Sequence, residues 1–550
     1  MLEGCTPWPA EFARRYRERG WWQGITLGDM MAAAIRRQPA KTALVYGDQR
    51  VSYAALGEAV DNLACGFVHA GIAPLDRVVV QLPNVPEFVY TYLALVRIGA
   101  IPVMALRAHR HAEVTHFLRA SGAVAYVILD VIRDFDYRAM AAEVAPACPA
   151  LRTVFVAGSP GIGQRALSAL MESRDGGTGD LAGLCTDPTE VVTMLLSGGT
   201  TSMSKLIPRT HDDYLLNARL CGAAGGFDEN TVLLAILPLG HNYNLASPGM
   251  LGAFYQGGTV VLAPSGDAAD VFGLVERERV TTIAAVVPLI STWLNADVAD
   301  HHDLTSLKVI QNGGARLAPE LRSRLRDRFR CTPQEIYGTA EGLINMTRLD
   351  DPDALLLGSS GAPVCEDDEI KVVDDDGGEV GDGIQGELLT RGPYTIRGYY
   401  NAPDKNREAF TADGFYRMGD IVRRQARHVF TEGRRKDLIN RGGEKISCEE
   451  VENLIYRHPK VKVVTLVAMP DPVFGEKACA FVVLKPGALL TFTELIAFLR
   501  AQKIAAFKLP ERLEVVSELP LSPVGKILKR ELRDRITATL AREAAQQGSA

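Results

Sequence analysis

RVVVQLP (77–83) followed by VPEFVYTYLALVRIGA (85–100) is the stretch that decides the fold. The first run reads as a strand and the second as a helix, and the pairing recurs in AYVILD (125–130) and FDYRAMAAEVA (135–145). Strand-like runs alternating with helical ones predict parallel sheets with crossover helices, hence an α/β protein. Upstream, ALVYGDQRVSYAAL (43–56) reads as two strands about a Gly-Asp turn, leading into a helix that ends near Ala70. At the start, Phe12 and Tyr16 stand four apart among Arg14, Arg15, Arg17 and Arg19, the pattern of an amphipathic helix. Residues 157–187 are Gly-rich and read as a surface excursion, and EDDEIKVVDDDGGEVGDG (366–383) as a β-hairpin with a solvated acidic turn. After residue 430 the composition changes. TEGRRKDLINRGGEKIS (431–447) is charged and turn-rich, and a shorter βα pattern follows (VENLIYRHP, KVVTLVAMP, ACAFVVLKP, ELIAFLRAQ). The expectation is a large N-terminal α/β region, 1–433, and a small C-terminal α+β domain, 434–550.

The chain has 550 residues with 60 Lys and Arg against 66 Asp and Glu, a net charge of −6. A mildly acidic total argues against bulk nucleic-acid binding, which needs concentrated cations to displace counterions. Nine scattered cysteines without a C-x-x-C pair suggest neither a zinc ribbon nor a redox pair, and fit a reducing cytoplasm. No apolar core of signal-peptide type opens the chain, and no apolar run reaches the length of a membrane span. The expectation is a cytoplasmic protein without a membrane partner.

The strongest local motif is MLLSGGTTSMSK (194–205), an apolar strand running into a Ser/Thr/Gly loop and a lysine. Glycines let backbone N–H groups approach phosphate oxygens, while hydroxyls and a lysine donate further bonds. The Walker pattern is absent. Four more stretches follow in order. YGTAE (337–341) ends a strand with a Gly turn and presents one carboxylate, and YRMGD (416–420) presents another. GRRKD (433–437) with RGGEK (441–445) forms a charged connector, and PLSPVGKILK (520–529) sets Lys526 on a Pro/Gly turn.

In this order and spacing the sequence resembles the adenylate-forming superfamily of acyl- and aryl-CoA synthetases, peptide-synthetase adenylation domains and firefly luciferase, over nearly the whole chain. More closely, TPWPAEFARRYRERGWWQG (6–24), the stretch from Leu196 to Tyr214, LPLGHNYNLASPG (237–249), RGPYTIRGYY (391–400) and INRGGEKIS (439–447) resemble the stand-alone aryl-acid AMP ligases. Those enzymes activate 2,3-dihydroxybenzoate or salicylate for siderophore and related assembly lines. The resemblance implies that Lys526 is the adenylation lysine, the cation needed where a carboxylate meets the α-phosphate of ATP. Glu341 would hold Mg2+, Asp420 would accept from the ribose hydroxyls, and Arg434 would lie beside ribose and phosphate. Tyr337, Gly338 and Thr339, with Gly313, Gly314, Ala315 and Arg316, would form the adenine slot. Ser197, Gly198, Gly199, Thr200, Thr201 and Lys205 would line the phosphates.

The acid pocket would comprise His241, Asn242, Tyr243, Ser247, Ala315 and Ile344. Amino-acid-activating relatives carry an aspartate where Asn242 stands, because a substrate ammonium needs a counter-charge; a neutral amide suits an aryl acid. Ser247 matches the position where dihydroxybenzoate enzymes carry Ser and salicylate enzymes often carry Cys. Ile344 matches a second selectivity position, where Val accompanies the first acid and Leu the second, and sides with neither. These positions favour 2,3-dihydroxybenzoate, with salicylate next. Lys436 stands at the family's hinge, and Gly442, Gly443 and Lys445 on the loop that relatives swing in for thioester formation. Twenty-four residues follow Lys526, too few for a fused carrier domain, so the expected acceptor is a phosphopantetheine thiol supplied in trans by an aryl carrier protein. Coenzyme A is the alternative acceptor.

Three positions depart from the family pattern: Ser202 for Gly in the phosphate loop, Met418 for Thr in YRMGD, and Arg107 where Pro is common. The first two motivate a competing reading, a catalytically impaired member that binds nucleotide or aryl acid.

Overall fold

The computed structural model describes every residue except 173–180, 182–183, 185, 198–202, 443 and 548–550. Two sheets dominate the N-terminal region. One has seven strands in the order Leu206–Thr210, Val191–Leu196, Ile101–Met104, Arg77–Gln81, Ala125–Leu129, Thr153–Ala157 and Arg165–Ala166. Only its first pair is antiparallel. Strand Arg77–Gln81 and helix Pro86–Arg97 fall where the opening stretch places them, and that helix is buried from Phe88 to Val96. Pro86 begins the helix, where a missing N–H costs nothing.

The second sheet has nine strands: Ala362–Pro363, Gly342–Met346, Thr332–Thr339, Val309–Gly313, Thr282–Ala285, Val232–Ala235, Thr259–Leu262, Thr42–Tyr46 and Gln49–Ser52. Its middle six strands are parallel and its edges turn back antiparallel. Parallel strands need helical crossovers and are covered on both faces, which explains their nearly continuous apolar sequences. A four-stranded antiparallel sheet follows, Glu369–Val373, Gln385–Arg391, Tyr416–Gln425 and His428–Arg434.

The last sheet begins at Ile439, beyond a single 3-10 turn, Arg435–Asp437. It holds Glu444–Ile446, Ile439–Arg441, Gly475–Leu484, Val461–Asp471 and Arg512–Val515, around its own core of Ile446, Val451, Leu466, Val482 and Leu495. Val461–Asp471 and Gly475–Leu484 form one long antiparallel hairpin, so the βα pattern expected there is helix, hairpin, helix instead. Segment 157–187 also differs from expectation. Leu167, Leu170 and Leu181 are buried, and Ser168–Met171 is a helical turn packed into the core. Two or three leucines among many glycines are too few to register as periodicity, yet enough to anchor a loop. No helix among the described residues is long and apolar enough to cross a membrane.

Candidate active site

The predicted residues converge where the parallel strands of the nine-stranded sheet end. Ala235 leads to His241, Gly313 opens the 313–316 turn, and Thr339 leads to Glu341. The carboxyl edge of an open α/β sheet is where loops gather into a ligand crevice.

Glu341 sits in the tight turn joining Thr332–Thr339 to Gly342–Met346, a turn closed by Thr339 Oγ1 donating to the Gly342 carbonyl at 3.0 Å. Its backbone carbonyl accepts from Ile396 N–H at 2.8 Å and its Oε1 from the Tyr399 hydroxyl at 2.9 Å. Among the described residues no hydrogen bond reaches Oε2, which leaves that oxygen for a cation. No group of three or more His, Cys, Asp or Glu that could hold a metal occurs among the described residues. One carboxylate fits Mg2+, which keeps waters and takes its other ligands from substrate phosphates. Lys205 lies with its Nζ 4.2 Å from the Tyr399 ring centre; burial lowers its pKa and the Glu341 charge pulls it back. Lys205 and Ser197 tie the base of the phosphate loop, Ser197 N–H donating to the Lys205 carbonyl at 3.0 Å and Lys205 N–H to Ser197 Oγ at 2.9 Å. Gly198, Gly199, Thr200, Thr201 and Ser202 lie outside the described residues.

Asp420 and Arg434 face each other in the register of neighbouring antiparallel strands. Arg434 Nε lies 3.2 Å from Asp420 Oδ1, and the Tyr337 hydroxyl donates to Oδ2 at 2.8 Å. Each carboxylate oxygen thus has an orienting partner, and the Asp420 charge raises the Arg434 pKa. Met418 is buried on the same strand, packed in the main core, and Arg107 is exposed.

Lys526 reaches this cluster from the small region. Ser522 and Lys526 close a turn by exchanging bonds, Ser522 N–H to the Lys526 carbonyl at 2.7 Å and Lys526 N–H to Ser522 Oγ at 3.0 Å. Gly525 has φ +78°, and a Cβ there would stand 2.7 Å from Val286 Cγ2. Gly314, at φ +83°, leaves room for the lysine stem, since a Cβ there would lie 3.1 Å from Lys526 Cε. Burial and the neighbouring Arg434 charge lower the Lys526 pKa to about 8, against the pull of Asp420 and Glu341. Burial, with Lys526 adding to it, pushes His241 down to about 3, so its ring is neutral near pH 7. His241 Nδ1 accepts from Tyr243 N–H at 3.3 Å and caps the short helix Asn242–Ala246.

Among the residues expected to form the acid pocket, Asn242 and Ser247 belong to a buried polar chain. The Tyr214 hydroxyl donates to Asn242 Oδ1 at 2.9 Å, and Asn242 Nδ2 donates to Ser247 Oγ at 3.1 Å. Asn217 Nδ2 also reaches Ser247 Oγ, at 3.0 Å. The Tyr243 ring lies against Gly313, where a Cβ would come within 2.8 Å of it. Ile344 belongs to the same apolar cluster as Tyr243, and the Ala315 carbonyl accepts from Asn312 Nδ2 at 2.7 Å.

The AMP-binding enzyme family model matches residues 31–400, and the AMP-binding enzyme C-terminal domain matches 450–526. The chain is 44% identical to the 2,3-dihydroxybenzoate-AMP ligase of Bacillus subtilis (strain 168), covering 98% of this chain and 99% of that one. It belongs to the aryl-acid AMP ligases of the adenylate-forming superfamily. The chain is also 46% identical to a salicylyl-CoA synthase / salicylate adenylyltransferase of a Streptomyces species, over 97% of each. It is 41% identical to the salicyl-AMP ligase / salicyl-S-ArCP synthetase of Mycobacterium tuberculosis (strain ATCC 25618 / H37Rv), over 96% of this chain and 94% of the other. It is an ATP-dependent aryl acid-AMP ligase.

Four residues not expected from the sequence of the ligase touch the predicted ones or their immediate neighbours. Arg209, fully buried, pairs with Asp213 at 2.6 Å and donates to the Ala340 and Tyr394 carbonyls at 3.0 and 3.2 Å, fixing the Glu341 turn. The Arg and Asp four apart in RTHDDY were a legible signal. Tyr399 and Tyr214 lie inside stretches that carry the family resemblance, but their pairings with Glu341 and Asn242 are distant in sequence; Asn217 carried no local signal. Elsewhere in the ligase, Lys445 lies outside the cluster and pairs with Asp375 at 2.8 Å. Gly442, at φ +59°, donates its N–H to the Phe474 carbonyl at 2.8 Å. Gly443 and the Lys436 side chain lie outside the described residues; the Lys436 backbone belongs to the Arg435–Asp437 turn.

Proposed function

We propose that this ligase activates 2,3-dihydroxybenzoate, with salicylate its second substrate, and passes the aryl group to the phosphopantetheine thiol of an aryl carrier protein in siderophore or related non-ribosomal assembly. The observation that carries the choice of acid is a neutral Asn242, its amide held by the Tyr214 and Ser247 hydroxyls, with both Asn242 and Ser247 buried. A substrate ammonium would find no carboxylate there, whereas a ring hydroxyl finds polar partners.

In the first step a carboxylate oxygen attacks the α-phosphorus, the O–Pα bond forms, and the bond from Pα to the pyrophosphate oxygen breaks. Lys526 supplies the positive charge between carboxylate and α-phosphate, and its partial burial makes that charge effective. Asp420, oriented by Arg434 and Tyr337, accepts from the ribose hydroxyls, and Tyr337 with the Gly313–Arg316 turn holds the adenine. Neutral His241 contributes a dipole and no competing charge beside Lys526. Mg2+ held by Glu341 would shield the phosphates and the pyrophosphate leaving group. In the second step the domain comprising 434–550 rotates about Lys436, withdrawing Lys526 and bringing Gly442, Gly443 and Lys445 to the site.

Pyrophosphate exchange across a panel of benzoates, anthranilate and hydroxypicolinate tests the first step. Exchange is expected fastest with 2,3-dihydroxybenzoate, and its absence with every hydroxybenzoate sinks the reading. Likeness to the Streptomyces salicylyl-CoA synthase favours a second reading, coenzyme A as acceptor. Thioester yields with coenzyme A and with holo carrier protein separate the two.

A further inference from the structure

Asn217 lies on helix His211–Ala224, fully buried, and its amide is spoken for on one side only. Nδ2 donates one proton to the Ala246 carbonyl at 2.6 Å and the other to Ser247 Oγ at 3.0 Å. The Ala246 carbonyl fixes which end of the amide is nitrogen, since two oxygens would repel there. Oδ1 is buried and has no hydrogen-bond partner among the described residues. Ser247 Oγ accepts from Asn217 and from Asn242, so both of its lone pairs are used and only its proton remains to be given. The Ser247 hydroxyl thus has only its proton to give, and the amide bonded to it carries a buried carbonyl oxygen that lacks a donor.

We propose that Asn217 is a specificity-determining residue of the acid site, its Oδ1 and the Ser247 hydroxyl together reading a ring substituent that carries both a lone pair and a proton. A phenolic hydroxyl fits: its oxygen accepts from Ser247 and its proton goes to Asn217 Oδ1. A hydrogen offers neither and a fluorine offers no proton, so both leave a buried polar atom unpaired. The inference rests on the proposed aryl-acid function and on Ser247 facing the ring position next to the ortho-hydroxyl.

Pyrophosphate exchange by the full chain with 2,3-dihydroxybenzoate, 3-fluorosalicylate and salicylate tests it. The expected kcat/KM for 2,3-dihydroxybenzoate exceeds that for each of the others by about tenfold, roughly one hydrogen bond. In Asn217→Leu this preference collapses towards unity, and adding Ser247→Ala lowers it little further, because the two act as one unit. A folded Asn217→Leu that keeps the preference overturns the proposal. So does a wild-type chain that uses 3-fluorosalicylate or salicylate as well as 2,3-dihydroxybenzoate, and this second measurement decides the matter if Asn217→Leu does not fold. Either result leaves aryl-acid activation standing, whereas no exchange with any hydroxybenzoate overturns both.

Discussion

A lysine whose ammonium is held beside Arg434, with burial as the larger cost, is poised to lose its proton just above neutral pH. In the proposed mechanism the ammonium is the form that stabilises the pentavalent phosphorus, and a lowered pKa means that form disappears as pH rises through about 8. The free-enzyme kcat/KM for adenylation is therefore expected to fall above about pH 8, and in Lys526→Arg this fall should vanish. Lys526→Ala should lower pyrophosphate exchange by about a hundred- to a thousandfold, the scale of a lost electrostatic donor. Asp368 behaves oppositely. Burial pushes its carboxyl up to about 7, against the Tyr394 hydroxyl donating at 2.5 Å, the Cys365 N–H and the Arg427 charge, while Asp367 adds to the rise. The folded state therefore binds this proton more tightly than the unfolded chain, and stability is lost as pH climbs from about 4 to 7, at up to ~1.4 kcal/mol per unit. The difference in Tm between Asp368→Asn and the wild type should move in favour of the variant over that range. Ser247→Cys replaces a strong donor by a weak one and should shift preference towards salicylate by about tenfold in the ratio of kcat/KM values.

At the scale of elements, strand ends and turns carry the chemistry. Paired strands Tyr416–Gln425 and His428–Arg434 set Asp420 opposite Arg434 by register alone; a one-residue slip would turn the whole face over. The turn 522–526 is equally exact in its demands. Gly525→Val meets both a left-handed φ and the Val286 methyl at 2.7 Å, so the turn cannot seat. Its adenylation rate should drop by about tenfold or more, with global Tm changed little, since the turn is peripheral to the core of the small region. Most of this was legible. The strands, the Glu341 turn and the Lys526 turn follow from local patterns of β-branched residues, Gly and Pro. The antiparallel hairpin of 461–484 was not, because a short apolar run looks alike in parallel and antiparallel pairs.

At the scale of the molecule, the small region is held in its lysine-inward position partly by charge. The hairpin that begins at Glu369 catches two residues that follow Arg434: Asp375 in its acidic turn pairs with Lys445 at 2.8 Å and with Arg435 at 3.3 Å, and Glu387 on its second strand takes Arg435 at 3.0 Å. What the sequence presents as a solvated acidic face is, in this orientation, a clasp. Exposed pairs hold weakly and are screened by salt. Asp375→Asn should accordingly lower pyrophosphate exchange by no more than about threefold while sparing thioester transfer, and the effect should fade at about 0.5 M salt. A loss of both half-reactions would show that the clasp is not specific to one orientation.

From sequence alone came the α/β class, the family resemblance and, through it, the candidate site residues Lys526, Glu341, Asp420 and Arg434. These are read from short motifs because phosphate chemistry requires particular side chains on particular turns, and such turns are local. Tertiary structure alone decided the surroundings of those groups: the burial, with neighbouring positive charge added to it, that lowers the pKa of Lys526 and His241, the buried Arg209 that fixes the Glu341 turn, and the amide pair around Ser247. Each of these joins residues far apart in the chain through a contact of about 3 Å, and hydrogen bonding and burial depend on such contacts rather than on sequence neighbours.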